Sequence, residues 1–337
     1  MPSYDKLIET LSTGDRSRAT QRVSRDDLVA TLELAERYAR IEKKVLGRAK
    51  VALSPTSLQV GSHEHDDALA RGELVASSER TRLQLPEGPI LELTRIIEDQ
   101  GIKVLPRRLP HDYSGGFFFD DKLGPCILLQ AAASESAIQY SLAHQYAHFM
   151  TDFDPYITTL CGWPTPAVLD DSIEVRAYHI ALALLMPRAD LEMYRKALET
   201  SAGETPFVEL IQQLRVYFEL DPEQILWRFL ALGWIDASGM EELLESNAEL
   251  AKALRAPVRV REGAALLPAR FVRLVASAFG SGKLDLEAAA RFLGTDLDGA
   301  EDILGQFEYE QPARNAEAAA PGRKRGKSGN GSSRARG

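Results

Sequence analysis

Two histidines, His144 and His148, stand four residues apart in a stretch whose apolar residues recur at helical spacing. A separation of four places both imidazoles on one face of a helix, about one turn apart, where they can share a metal ion. In the HExxH arrangement of zinc peptidases the intervening glutamate is the general base for the zinc-bound water. Gln145 occupies that position here, and two unrelated histidines would give the same spacing. The pair therefore predicts an HQxxH zinc site without a carboxylate at the general-base position.

The third ligand of such a site must come from another part of the chain. Glu174 lies 26 residues after His148, which leaves room for a loop that returns the carboxylate to complete a His₂Glu site with an open fourth position. Glu174 could instead be a solvated acid at a helix start. A second candidate is Asp154, ten residues after His144, but that arrangement needs a sharp turn, normally at glycine, where this chain has Thr151. We expect His144, His148 and Glu174 to be the ligands.

The elements that position these residues are mostly helices. Apolar spacing and end signals predict helices over 134–151 and over 172–186, the second ended by Pro187. Short apolar runs predict three strands, at 102–105, 116–119 and 126–130. The fold class is therefore α+β and mainly helical, with a small three-stranded sheet beside the helix that carries the histidines, followed by helical C-terminal modules. The second or third strand is expected to accept an extended peptide by β-addition.

Composition and breaks divide the chain into four parts. We predict a helical N-terminal extension and linker over 1–60, with a helix at 26–50, then a metal-site domain over 66–200. Helical modules follow over 201–308, including one helix at 239–255, and a disordered basic tail occupies 309–337.

Within 268–308 a helix that ends at Gly294 is followed by another, which resembles a helix-turn-helix pair. This pair is the basis of an alternative function, a DNA-binding transcriptional regulator or a protein-interaction scaffold. Acidic residues dominate the second helix of the pair, however, and disfavour contact with phosphates. They are Asp296, Asp298, Glu301 and Asp302.

The charge distribution bears on partners and location. The net charge is −9, and residues 321–337 carry six basic residues and no acid, so the first 320 residues sum to −15. An acidic body is not typical of a nucleic-acid platform, and only the tail could contact nucleic acid weakly. With no secretory signal or membrane-spanning run, we expect a cytoplasmic protein. Cys126 and Cys161 form no CxxC pattern and are interpreted as buried thiols outside any disulfide or cysteine zinc site.

Two motifs resemble those of the ImmA/IrrE family of metallopeptidases. Residues 174–187, EVRAYHIALALLMP, resemble the family signature ExxAxxFAxxLLMP, with Ile180 in place of the usual phenylalanine, and residues 141–148, SLAHQYAH, resemble TLAHELGH. The segment 102–130 is similar to the family's hairpin, and 214–234 is similar to the helical module that follows. The resemblance covers roughly residues 66–300.

This likeness implies a zincin-like fold, a zinc (Zn2+) cofactor and transcriptional repressors as partners that family members cleave. It carries His144, His148 and Glu174 over as zinc ligands and Gln145 as the position of the general base. Glutamine has no titratable carboxylate and cannot accept the proton. The sequence therefore predicts a repressor-regulating protein that acts by binding or by weak proteolysis, with or without residual enzyme activity.

Overall fold

A computed structural model describes most of the chain. It covers residues 5–13, 21–47, 65–151, 159–163, 172–202, 207–255 and 266–306. Contacts divide the chain into two compact units, Met1–Leu274 and Val275–Gly337.

Helices account for most of the described residues, and the strands are confined to the first unit. The helices are α1 (Asp5–Thr13), α2 (Arg25–Leu46), α3 (His65–Arg82), α4 (Leu93–Asp99), α5 (Glu135–Thr151), α6 (Ser172–Leu185), α7 (Arg188–Ala202), α8 (Phe207–Phe218), α9 (Pro222–Ala231), α10 (Ala237–Ser246), α11 (Ala248–Arg255), α12 (Ala269–Gly280), α13 (Leu286–Leu293) and α14 (residues 297–306). The strands are β1 (Lys103–Arg107), β2 (Tyr113–Asp120), β3 (Gly124–Gln130) and β4 (Thr159–Gly162).

The mainly helical α+β fold is confirmed, but the sheet has four strands instead of three. Its order is β1-β3-β2-β4, with β1 parallel to β3 and the other pairs antiparallel. Strand β4 was not predicted, because its four residues are too few to show an alternation of apolar and polar residues.

The strand order also corrects the expected site of peptide addition. The predicted strand 126–130, within β3, pairs with β1 over Cys126–Gln130 and with β2 up to Leu129, so it presents no free row of backbone groups to a peptide. Strand β4 pairs with β2 only over Tyr113–Phe117. The prediction of peptide addition is therefore wrong for β3 and remains a prediction for β2.

Helix ends follow local capping chemistry. Ser24 caps α2 by accepting a hydrogen bond from the backbone N–H of Asp27 at 3.1 Å, close to the predicted start of the helix. The single helix predicted over 239–255 is two helices, α10 and α11. Asn247 separates them, because its Oδ1 accepts from the backbone N–H of Leu250 at 2.8 Å and so caps α11.

One hydrophobic core joins the sheet, α5 and α6 to the helices after residue 200. Its buried members include Ile127 on β3, Tyr146 on α5, Leu184 on α6, Leu214 on α8 and Phe229 on α9. Helices α8 and α9 therefore pack on the same core as the helix that carries the histidines. The domain boundary near residue 200 stays a prediction. No described helix is both long and apolar enough to cross a membrane.

The second unit contains the pair of helices around Gly294. Helix α13 ends there with a left-handed φ of 75°, and Asp296 caps α14 by accepting from the backbone N–H of Gly299 at 2.9 Å. Asp298, Glu301 and Asp302 on α14 are exposed. This acidic surface disfavours contact with nucleic-acid phosphates and thus the DNA-binding alternative.

Candidate metal centre

Helix α5 places two histidines and Gln145 inside the protein. Ser134 precedes the helix and its hydroxyl accepts a hydrogen bond from the backbone N–H of Ala137 at 3.2 Å, which fixes the start of the helix. His144, Gln145 and His148 are all buried on the next turns. The Nε2 atoms of the two imidazoles lie 3.2 Å apart, so both rings present the same nitrogen to a common point.

Helix α6 brings Glu174 to the same point. The helix packs along α5, and Glu174 lies in its first turn with 3% of its surface exposed. One carboxylate oxygen, Oε2, lies 3.1 Å from His144 Nε2, and the other, Oε1, lies 3.4 Å from His148 Nε2. The residue is thus neither solvated nor remote, and the three residues that the sequence singled out as ligands are neighbours. Asp154, the alternative third ligand, lies outside the described residues.

A fourth donor, Cys161, joins these three residues from strand β4. Its Sγ lies 3.6 Å from His148 Nε2 and 3.7 Å from Glu174 Oε1. One ligand atom from each of the four residues lies within 4.8 Å of the others, and all four side chains are buried. Cys161 was predicted to be a buried thiol outside any zinc site, and it is a free, buried cysteine. Its place beside the histidines was missed.

Strand pairing explains why Cys161 faces helix α5. Cys161 is opposite Gly115 in the antiparallel pair of β4 and β2, and opposite residues in such a pair point to the same face of the sheet. A Cβ on Gly115 would lie 3.4 Å from Gln145 Cγ and 2.4 Å from the carbonyl oxygen of Leu128. The missing side chain therefore lets the sheet approach α5 closely and brings Cys161 to the histidines.

The electrostatics of Glu174, His144 and Cys161 favour their charged forms. Burial opposes ionisation of Glu174, but the charge of His148 and hydrogen bonds with both imidazoles outweigh burial and hold the pKa of Glu174 well below its usual range. Burial also opposes protonation of His144, yet hydrogen bonds with Cys161 and Glu174 raise the pKa of this imidazole. For Cys161, burial and the Glu174 carboxylate are outweighed by His148 and hydrogen bonds with the imidazoles, and the pKa of the thiol is lowered.

The donor set fits a zinc ion. In a tetrahedron with zinc–nitrogen or zinc–oxygen bonds of about 2.0–2.1 Å and a zinc–sulfur bond of about 2.3 Å, donor atoms are about 3.3–3.4 Å apart without sulfur and about 3.6 Å apart with it. Here His144 Nε2 lies 3.2 Å from His148 Nε2 and 3.1 Å from Glu174 Oε2, whereas His148 Nε2 lies 3.4 Å from the other carboxylate oxygen, Oε1. The separations from sulfur are 3.6 and 3.7 Å. With one ligand atom from each residue, the set lies within 4.8 Å, which is wider than the edges of a tetrahedron around bound zinc. A cluster of imidazole, thiolate and carboxylate donors at these separations is chemically suited to zinc.

Gln145 lies beside the donors but has an unusual environment. It is fully buried, and its Oε1 lies 3.7 Å from Cys161 Sγ. Its Nε2 has no hydrogen-bond partner within the described part of the chain. Buried amide nitrogens nearly always have a partner, so Gln145 has an unsatisfied donor in this environment.

Comparisons with known proteins agree with the motifs. Residues 97–230 match the family model Peptidase_M78, described as the IrrE N-terminal-like domain. The matched segment includes all four donors and Gln145. Searches of curated proteins and of solved structures gave no match.

Proposed function

We propose that this chain, whose residues 97–230 belong to the IrrE N-terminal-like domain family, binds zinc and regulates a transcriptional repressor by binding it, with little or no cleavage. The family match and the buried cluster of His144, His148, Cys161 and Glu174 identify a metallopeptidase-like protein. The regulatory role is the further step. It is supported by the repressors that the resemblance implies as partners.

One observation carries the proposal of binding without efficient cleavage: the residue between the histidines at the general-base position is Gln145, buried beside the donors. An amide can donate and accept hydrogen bonds, but it cannot take up a proton from a nucleophilic water. The loss of a positioned general base costs about 10²–10⁴-fold in rate. Recognition of the partner does not require that proton transfer and can persist without it.

The other parts of the proposed function fall to residues that would hold the metal, helices that bury them and an acidic surface that would meet the partner. His144, His148 and Glu174 would hold the metal, which in peptidases polarises the carbonyl group and activates water. Helices α5 and α6 keep these side chains buried and shield them from bulk water. The negative charge of the body, −15 over the first 320 residues, suits a partner with a basic surface such as a DNA-binding repressor.

The test uses each helix-turn-helix repressor of the host genome, prepared separately and mixed with the zinc-loaded full chain. Binding is followed by fluorescence anisotropy of the labelled repressor and cleavage by mass spectrometry. We expect one repressor to bind and to remain intact over hours. Rapid zinc-dependent cleavage by the unmodified chain would contradict the proposal, and so would the absence of binding to any repressor.

Restoring the carboxylate sharpens this test. Gln145→Glu is nearly isosteric and reintroduces a base, but Cys161 still lies against the same metal position. We therefore expect little cleavage from Gln145→Glu alone. In the double variant Gln145→Glu/Cys161→Ala, the cleavage rate should be about 10²–10⁴-fold higher than in Cys161→Ala, the usual effect of a positioned base. A double variant that binds zinc and repressor without cleavage would show that binding capacity alone persists in this site.

A further inference from the structure

Gln145 and Cys161 touch at the centre of the buried cluster, with Gln145 Oε1 3.7 Å from Cys161 Sγ and neither residue exposed. We infer that Cys161 is the fourth ligand of the proposed zinc ion and that Gln145 is the neutral neighbour its thiolate requires. The inference rests on the proposed zinc site and extends it, because it turns a three-ligand peptidase centre into a closed four-ligand one.

Geometry supports Cys161 as a ligand instead of a bystander. Its sulfur lies 3.6 Å from His148 Nε2 and 3.7 Å from Glu174 Oε1. In a zinc tetrahedron, a thiolate sulfur and a nitrogen or oxygen ligand are about 3.6 Å apart. A thiol that binds no metal would not need to face the histidines. Instead, strand pairing with Gly115 and the close approach of α5 hold the sulfur at a corner of the cluster.

Charge explains why glutamine accompanies this cysteine. The two positive charges of a zinc ion are neutralised by the Cys161 thiolate and the Glu174 carboxylate, so a glutamate at position 145 would leave this buried centre with a net negative charge, which burial disfavours. The amide of Gln145 occupies almost the same volume without charge. Glutamine at position 145, in place of the glutamate of HExxH, is therefore matched to the cysteine at position 161.

The hydrogen-bond inventory points the same way. Gln145 Nε2 has no partner among the described residues while Oε1 faces the sulfur. The two ends of an amide are nearly isosteric, and a half-turn of the amide would direct Nε2–H to Sγ. A metal-bound thiolate accepts such a hydrogen bond, whereas a thiol would donate to Oε1. Ligands of metals commonly have a partner of this kind that orients them.

A closed site has a different use from an open one. Structural zinc sites have four protein ligands, whereas catalytic sites retain one open position. With Cys161 in place, the metal ties β4, α5 and α6 together and leaves no position for water. A thiolate in the set also favours zinc over magnesium, calcium and manganese.

Cobalt substitution tests the ligand assignment without reference to activity. The full chain is stripped of metal and titrated with Co²⁺, and the absorption spectrum is recorded. A cysteine ligand gives a thiolate-to-cobalt charge-transfer band in the near ultraviolet, together with the strong visible bands of tetrahedral cobalt. We expect both in the unmodified chain. Cys161→Ser should lose the near-ultraviolet band, and the matched variant Cys126→Ser, which removes the other buried thiol, should retain it.

Affinity measurements test the pairing of Gln145 with Cys161. In the Cys161→Ala background, Gln145→Glu replaces the lost anion and should strengthen zinc binding at least about tenfold. In the unmodified background the added carboxylate exceeds the charge of the ion, and the same change should give no such gain. An equal change of affinity in both backgrounds would overturn the pairing.

The outcomes separate the two proposals. Bound cobalt without the charge-transfer band would overturn Cys161 as a ligand and leave the proposed zinc site intact. A chain that binds neither cobalt nor zinc would overturn both.

Discussion

Two clusters of buried polar side chains in the first unit differ in how their charges are neutralised. The donor cluster consists of His144, His148, Cys161 and Glu174, all of which can donate electron pairs to a metal. The ionic cluster consists of Glu42, Glu98, Lys103 and Arg270, in which two acidic side chains meet two basic ones. Buried charges must be paired or must coordinate a metal. The ionic cluster contains its own basic side chains, whereas the imidazoles of the donor cluster are either protonated or, as we propose, bound to a metal ion from outside the chain.

The ionic cluster joins elements that are distant in the sequence. Lys103 Nζ lies 2.8 Å from Glu42 Oε2 with both side chains 1% exposed, and Arg270 donates to the other oxygen of Glu42. Tyr38 donates its hydroxyl hydrogen to Glu98 Oε1 at 3.0 Å. These contacts connect α2, α4, β1 and the start of α12. They have a structural explanation without a ligand, so burial of charge alone does not identify a functional site.

Removal of the metal should have the largest effect on stability. His148→Ala removes one donor and should abolish stoichiometric zinc binding. When free zinc is a thousandfold above the dissociation constant, the free energy of unfolding of the unmodified chain should exceed that of the metal-free form by about 4 kcal/mol. A loss of that size lowers the melting temperature by about 10 °C in a domain of this size. Thermal denaturation with and without a chelator measures it, and the chelator should leave the melting temperature of His148→Ala unchanged.

Disruption of the ionic cluster should lower the free energy of unfolding somewhat less and should not change zinc binding. Lys103→Met removes one cation and leaves Glu42 with Arg270, so the free energy of unfolding should fall by about 3 kcal/mol, the low end for a broken buried ion pair. Lys122→Met, an exposed position in the β2–β3 turn, is the matched control and should change it by less than about 0.5 kcal/mol. Zinc content should remain that of the unmodified chain. Loss of zinc in Lys103→Met would show that the two clusters are coupled.

The pH dependence of the ionic cluster gives the smallest expected effect. Burial raises the pKa of Glu98 from 4.5 to about 7. The native state therefore holds this proton more tightly than the unfolded state, and the contribution of Glu98 to stability decreases as pH rises from 4.5 through 7. Glu98→Gln should remove that decrease, so the variant should be more stable than the unmodified chain by about 2 kcal/mol at pH 6.

The same urea unfolding series at pH 4.5 provides the control. There both chains carry an uncharged group at position 98, and their unfolding free energies should converge. A constant difference across the pH range would mean that hydrogen bonding to Tyr38, and not ionisation, distinguishes the two side chains.

Local sequence was sufficient for some parts of the donor cluster and not for others. The spacing of His144 and His148 fixes their common face once the helix forms, because that relation depends only on helical geometry. Glu174 was identified by its distance along the chain and by the family-like motif around it. Cys161 could not be found in this way, since its orientation depends on pairing between β4 and β2, two strands more than 40 residues apart.

Nonlocal pairing also explains the other difference in the fold. Lys103 lies in the apolar run 102–105 that was predicted as a strand, and its partners Glu42 and Arg270 come from opposite ends of the first unit. No local pattern predicts such a meeting. Helices with clear caps and apolar spacing, such as α2 and α5, were by contrast predicted within a few residues of their observed bounds.

Metal content tests the central claim most directly, that the donor cluster takes its counterion from outside the chain. The full chain is purified without added zinc or chelator and measured by elemental analysis alongside His148→Ala. The donor set predicts close to one zinc per chain in the unmodified protein and a small fraction of that in the variant. A folded chain that contains no zinc and takes up none on addition would contradict the account, because its four buried donors would then be neutralised by protons alone.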